Sequence, residues 1–254
     1  MRDFENVMNK NNGFKVLNGL PNFIAIEEDT TINLSKEELY DMIQSVVRVG
    51  ENAGVKRMGV HINKESNHYH VLSKLLRSIG FEVFASKIEV YRDLEGVRSV
   101  HHEYQWRSLG EGSISIDEFK HNWMKSMSDS DNTTSTLTMD EHIDSLKSEL
   151  GEGWRNCCHV VYLKDTPIGI SMPIIEPGTK NEGRLFYFGI VPEQRGKGHS
   201  ALIHEQSLCY LKQLGATYYI GSTHEQNLKM QKVFWKNGCK IKRQIESYYF
   251  YFQR

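Results

Sequence analysis

The pattern of apolar and polar positions along the chain predicts nine strands and several helices. The strands are predicted where β-branched and aromatic residues cluster between turn residues. They cover residues 23–28, 57–62, 81–91, 102–109, 159–163, 168–175, 184–191, 217–222 and 240–252. Capping boxes, in which a hydroxyl residue stands three positions before a glutamate, mark helix starts. They follow Ser35, Ser115 and Thr138 and predict helices near 36–53, 116–127 and 139–150.

The order of elements from residue 99 onward favours a mixed α/β or α+β domain with a meander at its centre. It runs strand, helix, helix, three strands, helix, strand, helix, strand. A hairpin turn is predicted at 177–183, and the polar residues 126–136 are interpreted as a surface loop.

Residues 55–91 repeat the pattern of residues 216–248. A helix closed by a glycine precedes each copy, and the copies end in similar strands, IEVY and IESY. Any strand–helix–strand unit with a glycine after its helix shares part of this pattern, so that alternative stays open. The common order favours a duplicated half-domain.

The composition is that of an ordinary globular protein with one large domain or two small ones. The chain has 254 residues, of which 39% are hydrophobic and 25% charged, with a formal net charge of −1. Without a basic field, neither a nucleic acid nor a membrane is an expected partner. The N-terminus lacks the apolar run of a signal peptide and no segment approaches a membrane span, so a cytoplasmic location is expected.

Cysteine and histidine positions favour neither a disulfide framework nor a metal site. The four cysteines are Cys157, Cys158, Cys209 and Cys239. Two are adjacent, and small reduced thiols in the core are the better interpretation. The histidine pairs His68/His70 and His101/His102 have no third ligand at a suitable spacing, so no metal is expected.

Residues 191–200, VPEQRGKGHS, place two glycines and two basic residues between a predicted strand and a helix. A helix start offers unpaired N–H groups and partial positive charge, and glycine lets an oxygen approach the backbone. A P-loop needs GxxxxGK[ST], which is absent. The pattern GxGxxA of a dinucleotide-binding fold is present, but four residues separate it from the strand and little chain follows. A tight turn with a basic pair remains an alternative.

The stretch IVPEQRGKGHSALI resembles the acetyl-CoA pyrophosphate loop of the GNAT N-acetyltransferase superfamily, R/Q-x-x-G-x-G/A, with serine at the final small position. Asn227, followed eleven residues later by Gly238, resembles the second signature of that family. The resemblance implies an α/β (α+β) fold with a mixed, mostly antiparallel central sheet flanked by helices. It implies a GNAT acetyltransferase domain at 97–254, preceded by a degenerate GNAT-like half-domain at 1–96.

In that half-domain the corresponding connection, DTTINLSK, has neither a glycine nor an Arg-x-x-Gly. No pyrophosphate cradle of this kind can form there, so a packing or substrate-shaping role is expected. The aromatic run 248–252, YYFYF, is interpreted as a buried strand, with a pocket lining or a homodimer interface as alternatives.

The resemblance implies that acetyl-CoA, or another acyl-CoA, binds around the glycine loop. Backbone N–H groups would hold the diphosphate, and Arg195 and Lys197 would add positive charge. The exposed edge of the preceding strand would pair with the pantetheine arm, and Asn227 would bond to it, although a helix N-cap is an equal interpretation of Asn227. The implied contacts are Ile190, Val191, Arg195, Gly196, Lys197, Gly198, His199, Ser200, Asn227, Met230 and Phe234.

The implied reaction is transfer of an acetyl group to a primary amine of a small molecule or peptide. An amine with a pKa of about 10.4 is protonated at neutral pH, so a proton acceptor is needed. The candidates are His224, Glu225 and Glu182.

Many family members place a tyrosine seven residues after the asparagine to protonate the leaving sulfur. The chain has Phe234 there, so Tyr187, Tyr248 or a water are the candidates. This departure keeps a second interpretation open, that of a CoA-binding or sensor protein whose catalysis has lapsed.

Overall fold

A computed structural model describes residues 13–19, 23–98, 103–131 and 137–252. The described residues form two compact units. The first comprises those of Met1–Ile88 and Arg243–Arg254, and the second those of Glu89–Lys242. The functional division between residues 96 and 97 stays a prediction.

Within the described ranges the chain forms ten strands and six α-helices. The strands are β1 (Phe14–Gly19), β2 (Phe23–Glu28), β3 (Arg57–Asn63), β4 (Glu82–Asp93), β5 (Tyr104–Ser108), β6 (His159–Leu163), β7 (Thr166–Ile175), β8 (Glu182–Ile190), β9 (Tyr218–His224) and β10 (Lys240–Tyr251). The helices are α1 (Lys36–Asn52), α2 (Tyr69–Ser78), α3 (Ile116–Met127), α4 (Met139–Leu150), α5 (His199–Gln213) and α6 (Leu228–Lys236).

All nine predicted strands are present, with ends that differ by at most two residues. The strand predicted at 102–109 begins at Tyr104, and residue 102 lies outside the described residues. The predicted helices 116–127 and 139–150 have the observed bounds. Strand β1 was missed, because its sequence FKVLNG has four residues of strand character before an asparagine and a glycine that favour a turn.

Two of the three predicted capping boxes form completely. The hydroxyls of Ser35 and Thr138 accept from the backbone three residues on, and the glutamates there reach back. Ser115 makes its half of the box, accepting from Glu118 N at 3.1 Å. The carboxylate of Glu118 instead accepts from the Tyr162 hydroxyl at 2.5 Å, which fixes α3 against β6.

In the first unit the strands lie in the order β1-β2-β3-β10-β4. Strands β2 and β3 are parallel and pair over five residues, from Phe23↔Arg57 to Glu27↔His61. Helices α1 and α2 pack on this sheet through one apolar cluster. Its members include Ile24, Ile26, Leu39, Ile43, Met58, Val60, Ile62, Leu72, Leu76 and Tyr248. Burial of each large apolar side chain contributes about 1.5–3 kcal/mol, so this cluster holds the helices in place.

In the second unit β5 to β8 form an antiparallel meander, and β9 is parallel to β8. Helices α3 and α4 pack on one face through Phe119, Trp123 and Ile143. Helix α5 contributes Ile203 to a second cluster with Val161, Ile168 and Ile190. The predicted mixed, mostly antiparallel sheet flanked by helices is confirmed.

None of the helices that the structure describes is both long enough and apolar enough to cross a membrane.

Candidate active site

Strands β8 and β9 separate soon after they begin. Their parallel pairing covers Glu182↔Tyr218 and Gly183↔Tyr219. Strand β8 nevertheless continues to Ile190, and its residues 184–189 are all half-buried. Backbone N–H and C=O groups on the β9 side of this stretch are therefore outside the ladder, where an extended ligand could use them.

The opposite edge of β8 carries a bulge against β7. Ser171 pairs with Phe188 and Pro173 with Leu185, so two residues of β8, Phe186 and Tyr187, face Met172 alone. Proline has no N–H to donate to the ladder, which accounts for the irregularity here. A bulge increases local twist and redirects side chains, so this one sets the direction of Tyr187.

The glycine loop joins β8 to α5. Gly196 and Gly198 have φ values of +76° and +86°, which side chains other than glycine rarely adopt. A Cβ at either position would meet nothing within 4 Å, so the backbone here borders open space. Gly198 precedes α5 without any side-chain cap hydrogen bond. The first N–H groups of a helix lack intrahelical partners and carry partial positive charge, so this loop fits a diphosphate.

Arg195 is placed differently from the expectation. Its backbone N–H donates to Pro192 O at 3.2 Å, and its guanidinium donates to four main-chain carbonyls. Neither group is directed to the space above the glycines. The predicted diphosphate site is therefore limited to the N–H groups from Gly196 to Ser200.

The other residues of this loop that were predicted to contact the cofactor differ in exposure and in hydrogen bonding. Lys197 is exposed and donates to Gln194 Oε1 at 3.0 Å. His199 is half-buried and its Nδ1 lies 2.7 Å from the Tyr104 hydroxyl. Burial, with the nearby Lys197, lowers the pKa of His199. Ile190 and Val191 are buried, and Val191 N donates to Ile168 O at 3.0 Å.

Asn227 caps helix α6. Its Oδ1 accepts from Met230 N at 3.0 Å, and the residue is buried, whereas Met230 is half-buried. The N-cap interpretation is confirmed. A contact with a pantetheine arm stays a prediction.

Phe234 is buried in the core of the second unit. Its side chain is 1% exposed and lies against the rings of His204, at 5.6 Å between centroids, and Tyr219, at 6.5 Å. The ring belongs to the core between α5, α6 and β9, and a cofactor contact by Phe234 stays a prediction.

His204, which sequence reasoning missed, organises that core. Its Nδ1 accepts from Asn237 Nδ2 at 2.9 Å, and its Nε2 lies 3.3 Å from the Tyr219 hydroxyl. The amide donor at Nδ1 places the proton of the neutral ring on Nε2. Burial lowers the pKa of His204 to about 3. Its partners Tyr219 and Asn237 lie 15 and 33 positions later, so the sequence around His204 gave no signal of this network.

The candidate proton acceptors lie in two places. His224 and Glu225 are half-buried at the turn between β9 and α6, where His224 Nδ1 accepts from Gln226 N at 3.2 Å. Glu182 lies at the paired beginning of β8, bonded to Arg184 Nε at 2.6 Å and to the Tyr218 hydroxyl at 3.0 Å. Its carboxylate is thus held in an ion pair at the end of β8 opposite to the glycine loop.

Among the candidate proton donors, Tyr187 lies at the bulge of β8. Its hydroxyl is 3.2 Å from Ser126 Oγ, and its ring is 5.7 Å from that of Trp123. Burial raises the pKa of Tyr187, so its hydroxyl keeps its proton near neutral pH. Tyr248 is buried in the first unit, bonded to Ser73 and Glu246.

Two further polar atoms lie on α3 and α4, one of them on the Trp123 ring that contacts Tyr187. Trp123 Nε1 and His142 Nε2 are buried and have no hydrogen-bond partner among the described residues. The two rings are 5.4 Å apart, and burial lowers the pKa of His142. Buried polar atoms of this kind call for a partner, such as a water or a ligand.

The first unit differs from the second at the corresponding place. Strands β2 and β3 stay paired, and the N–H groups at the start of α1 are engaged by Ser35 and Glu38. The buried carboxylate of Glu28 accepts from Asn63 N at 3.0 Å and from the Ser66 hydroxyl. That this half binds no diphosphate stays a prediction.

No family model and no curated protein sequence matches the chain. Solved structures do match it. A GCN5-related N-acetyltransferase from Sphaerobacter thermophilus aligns with a TM-score of 0.61 at 12% identity, over 94% of this chain and 76% of that one. An acetyltransferase of the GNAT family from Colwellia psychrerythraea aligns with a TM-score of 0.58 at 13% identity, over 95% of this chain and 82% of that one. The chain has the GNAT fold.

A tandem GNAT protein from the clavulanic acid biosynthesis pathway, in a structure without AcCoA, also aligns, with a TM-score of 0.56 at 10% identity. The alignment covers 94% of this chain and 78% of that one, so two GNAT-like parts in one chain have a precedent. The predicted GNAT resemblance is confirmed for the fold. At such identities a shared GNAT fold leaves activity to be argued from the site.

Proposed function

We propose that the chain is an acetyl-CoA-dependent N-acetyltransferase acting on a primary amine of a small molecule or peptide. The observation that carries this proposal is the separation of β8 from β9, which leads directly to the uncapped glycine loop at the start of α5. An open strand edge can pair with an extended arm of a ligand, and the helix N-terminus that follows it can bind an anionic group. The two together suit a long ligand that has both parts.

The residues that would hold acetyl-CoA follow from this geometry. The N–H groups from Gly196 to Ser200 would bind the diphosphate, and Lys197 would add a positive charge, since the Arg195 guanidinium is engaged elsewhere. The free edge of β8 would pair with the pantetheine arm. When bound, acetyl-CoA supplies an acyl thioester that an amine can attack.

The chain's own side chains would move the protons. His224 or Glu225, at the end of β9, would accept the proton of the ammonium directly or through a water. The Tyr187 hydroxyl, kept protonated by burial, would donate towards the departing group. The buried Trp123 Nε1 and His142 Nε2 would hydrogen-bond a polar group of the acceptor molecule, on the α3–α4 side of Tyr187.

Two measurements on the purified chain test this proposal. Calorimetry with CoA and acetyl-CoA should show saturable binding, and release of CoA thiol should depend on an added amine from a panel of small amines and peptides. Binding that does not weaken in Gly198→Ala, or the lack of any binding, would exclude the proposed site. A cytoplasmic location and a homodimer stay predictions.

The second candidate is a CoA-binding or sensor protein without turnover. It is favoured by the position of Phe234, which has no hydroxyl and lies in the core. Saturable CoA binding together with no thiol release for any amine would support it over the enzyme.

A further inference from the structure

The guanidinium of Arg195 binds the C-terminal end of helix α3. Its Nη1 donates to Asp129 O at 2.7 Å, and its Nη2 donates to Ser128 O at 2.7 Å and Ser126 O at 3.1 Å. Its Nε donates to Ile190 O, the last residue of β8, at 2.9 Å. The final carbonyls of a helix lack intrahelical partners and carry partial negative charge, so a guanidinium is a suited partner.

The backbone beyond α3 shows that this contact fixes a specific chain direction. Asp129 has a φ of +50°, in the left-handed region that non-glycine residues rarely occupy. Its carbonyl is one of the four that Arg195 binds. The guanidinium therefore holds the turn after α3 in a conformation that local preferences alone disfavour.

Two ion pairs flank this contact and extend it. Lys125 Nζ lies 2.9 Å from Glu193 Oε1, and Lys229 Nζ lies 3.0 Å from Asp131 Oδ2. Both pairs are exposed to solvent and contribute little on their own. The Arg195 guanidinium donates hydrogen bonds from all three of its nitrogens and is therefore the main link between α3 and the glycine loop.

The same turn of α3 contacts Tyr187. Ser126 is 2% exposed, its carbonyl accepts from Arg195, and its Oγ lies 3.2 Å from the Tyr187 hydroxyl. The Tyr187 phenol lies over Gly189, because a Cβ added there would come within 2.6 Å of its hydroxyl oxygen. The hydroxyl is thus held above the stretch of β8 that has separated from β9.

We propose that Arg195 is a positioning residue, which fixes the Tyr187 hydroxyl through Ser126, and is not a ligand of the diphosphate. The inference rests on the proposed function, in which Tyr187 donates a proton. It separates two roles within one loop: the N–H groups from Gly196 to Ser200 bind the anion, and the side chain of Arg195 sets the geometry of the donor.

The test compares Arg195→Lys, which keeps the charge and loses the fork, with Ser126→Ala and Lys197→Ala. Arg195→Lys should lower kcat at least tenfold and move the basic limb of the pH profile, with the Kd for CoA within twofold of the parent chain. Ser126→Ala should have the same effects, and the double variant should be no worse than the more affected single one. Lys197→Ala should weaken CoA binding instead. Arg48→Lys, at an exposed position of α1 in the first unit, is the matched control.

A second measurement needs no ligand, so it separates this inference from the proposed function. In NMR spectra of the chain labelled at tyrosine, Arg195→Lys and Ser126→Ala should shift the ring resonances of Tyr187 and leave those of Tyr40 unchanged. Parent-like Tyr187 resonances in both variants would overturn the inference, as would an Arg195→Lys variant that weakens CoA binding as much as Lys197→Ala and keeps kcat. Absence of CoA binding to the parent chain, with the NMR shifts present, would overturn the proposed function alone.

Discussion

Gly198 and Ser35 occupy the same position in the two units, directly before the helix that follows the first strand of a parallel pair. Ser35 caps its helix, α1, with its side chain, and Gly198 leaves the start of α5 without such a cap. Gly198 has a φ of +86° and provides no side-chain cap to α5. Ser35 accepts from Glu38 N at 3.2 Å, and the Glu38 carboxylate accepts from Ser35 N at 2.7 Å. A helix start that is not capped by its own chain can receive an external anion, so the two GNAT-like parts differ where an anion would bind.

Gly198→Ala should therefore weaken CoA binding at least tenfold. Alanine at a φ of +86° costs about 1–2 kcal/mol, which moves the loop away from the geometry that presents its N–H groups. Gly54→Ala is the matched control, because Gly54 also has a positive φ, of +64°, and open space around its Cβ position. Both variants should lose similar stability in urea unfolding, and calorimetry should find weaker CoA binding only in Gly198→Ala. Equal CoA affinities in the two variants would contradict the assignment of the loop.

The sequence predicted the elements better than their contacts. Helix starts at Ser35, Ser115 and Thr138 and nearly all strand bounds follow from local patterns, which a single stretch of chain contains. The glycine loop was found for the same reason, since positive φ values at Gly196 and Gly198 restrict the residue type. Strand β1 has only the four residues FKVL before a turn-like Asn-Gly pair, which is too short a stretch for its pattern to indicate a strand.

The surroundings of Arg195 and Phe234 depend on contacts between residues that are distant in the sequence. An arginine in a loop motif looks like an anion ligand, and only the fold brings the carbonyls of Ser126, Ser128 and Asp129 to Arg195. The burial of Phe234 likewise depends on the ring of His204, thirty positions earlier in the chain. Spacing along the sequence carries no information about such partners.

Gly189→Ala should lower kcat. The added methyl would lie 2.6 Å from the Tyr187 hydroxyl oxygen, so the phenol must move from above the open edge of β8. We expect kcat to fall about tenfold, which corresponds to about 1.4 kcal/mol in the activation free energy. Gly153→Ala is the control, because a Cβ there meets nothing within 4 Å and φ is not positive. A Gly189→Ala variant with parent kcat would show that the placement of Tyr187 is not needed for turnover.

Phe234→Tyr should not raise activity, although it restores the residue type that the GNAT resemblance implies at this position. The ring is 1% exposed, so the new hydroxyl would be buried next to His204 and Tyr219. A buried hydroxyl without a partner costs about 1–3 kcal/mol, and thermal unfolding should record that loss. Thiol-release kinetics of Tyr187→Phe provide the comparison, since that variant removes the proposed donor and should lower kcat. A higher kcat in Phe234→Tyr would mean that Phe234 reaches the reacting groups.

The neutral His204 ring should make stability fall as the solution is acidified below neutral pH. Burial lowers its folded-state pKa to about 3, from an ordinary value of 6.5. Between these two pKa values the unfolded chain binds a proton at His204 that the folded chain does not bind. The free energy of unfolding therefore rises with pH across this range. The free energy of unfolding has its full value above pH 6.5, where His204 is neutral in both states, and it decreases as the pH falls towards 3. The expected decrease due to His204 is on the order of 3 kcal/mol between pH 6.5 and 4.

His204→Gln removes this dependence while keeping an amide that can hydrogen-bond. Urea unfolding of this variant between pH 7.5 and 4 should give a shallower slope than the parent chain, even though its stability at pH 7 is lower. His61, whose pKa is lowered to about 4 mainly by burial, titrates in the same window and remains in both proteins. The difference between the two curves therefore isolates His204, and parallel curves would mean that its folded-state pKa is close to that of the unfolded chain.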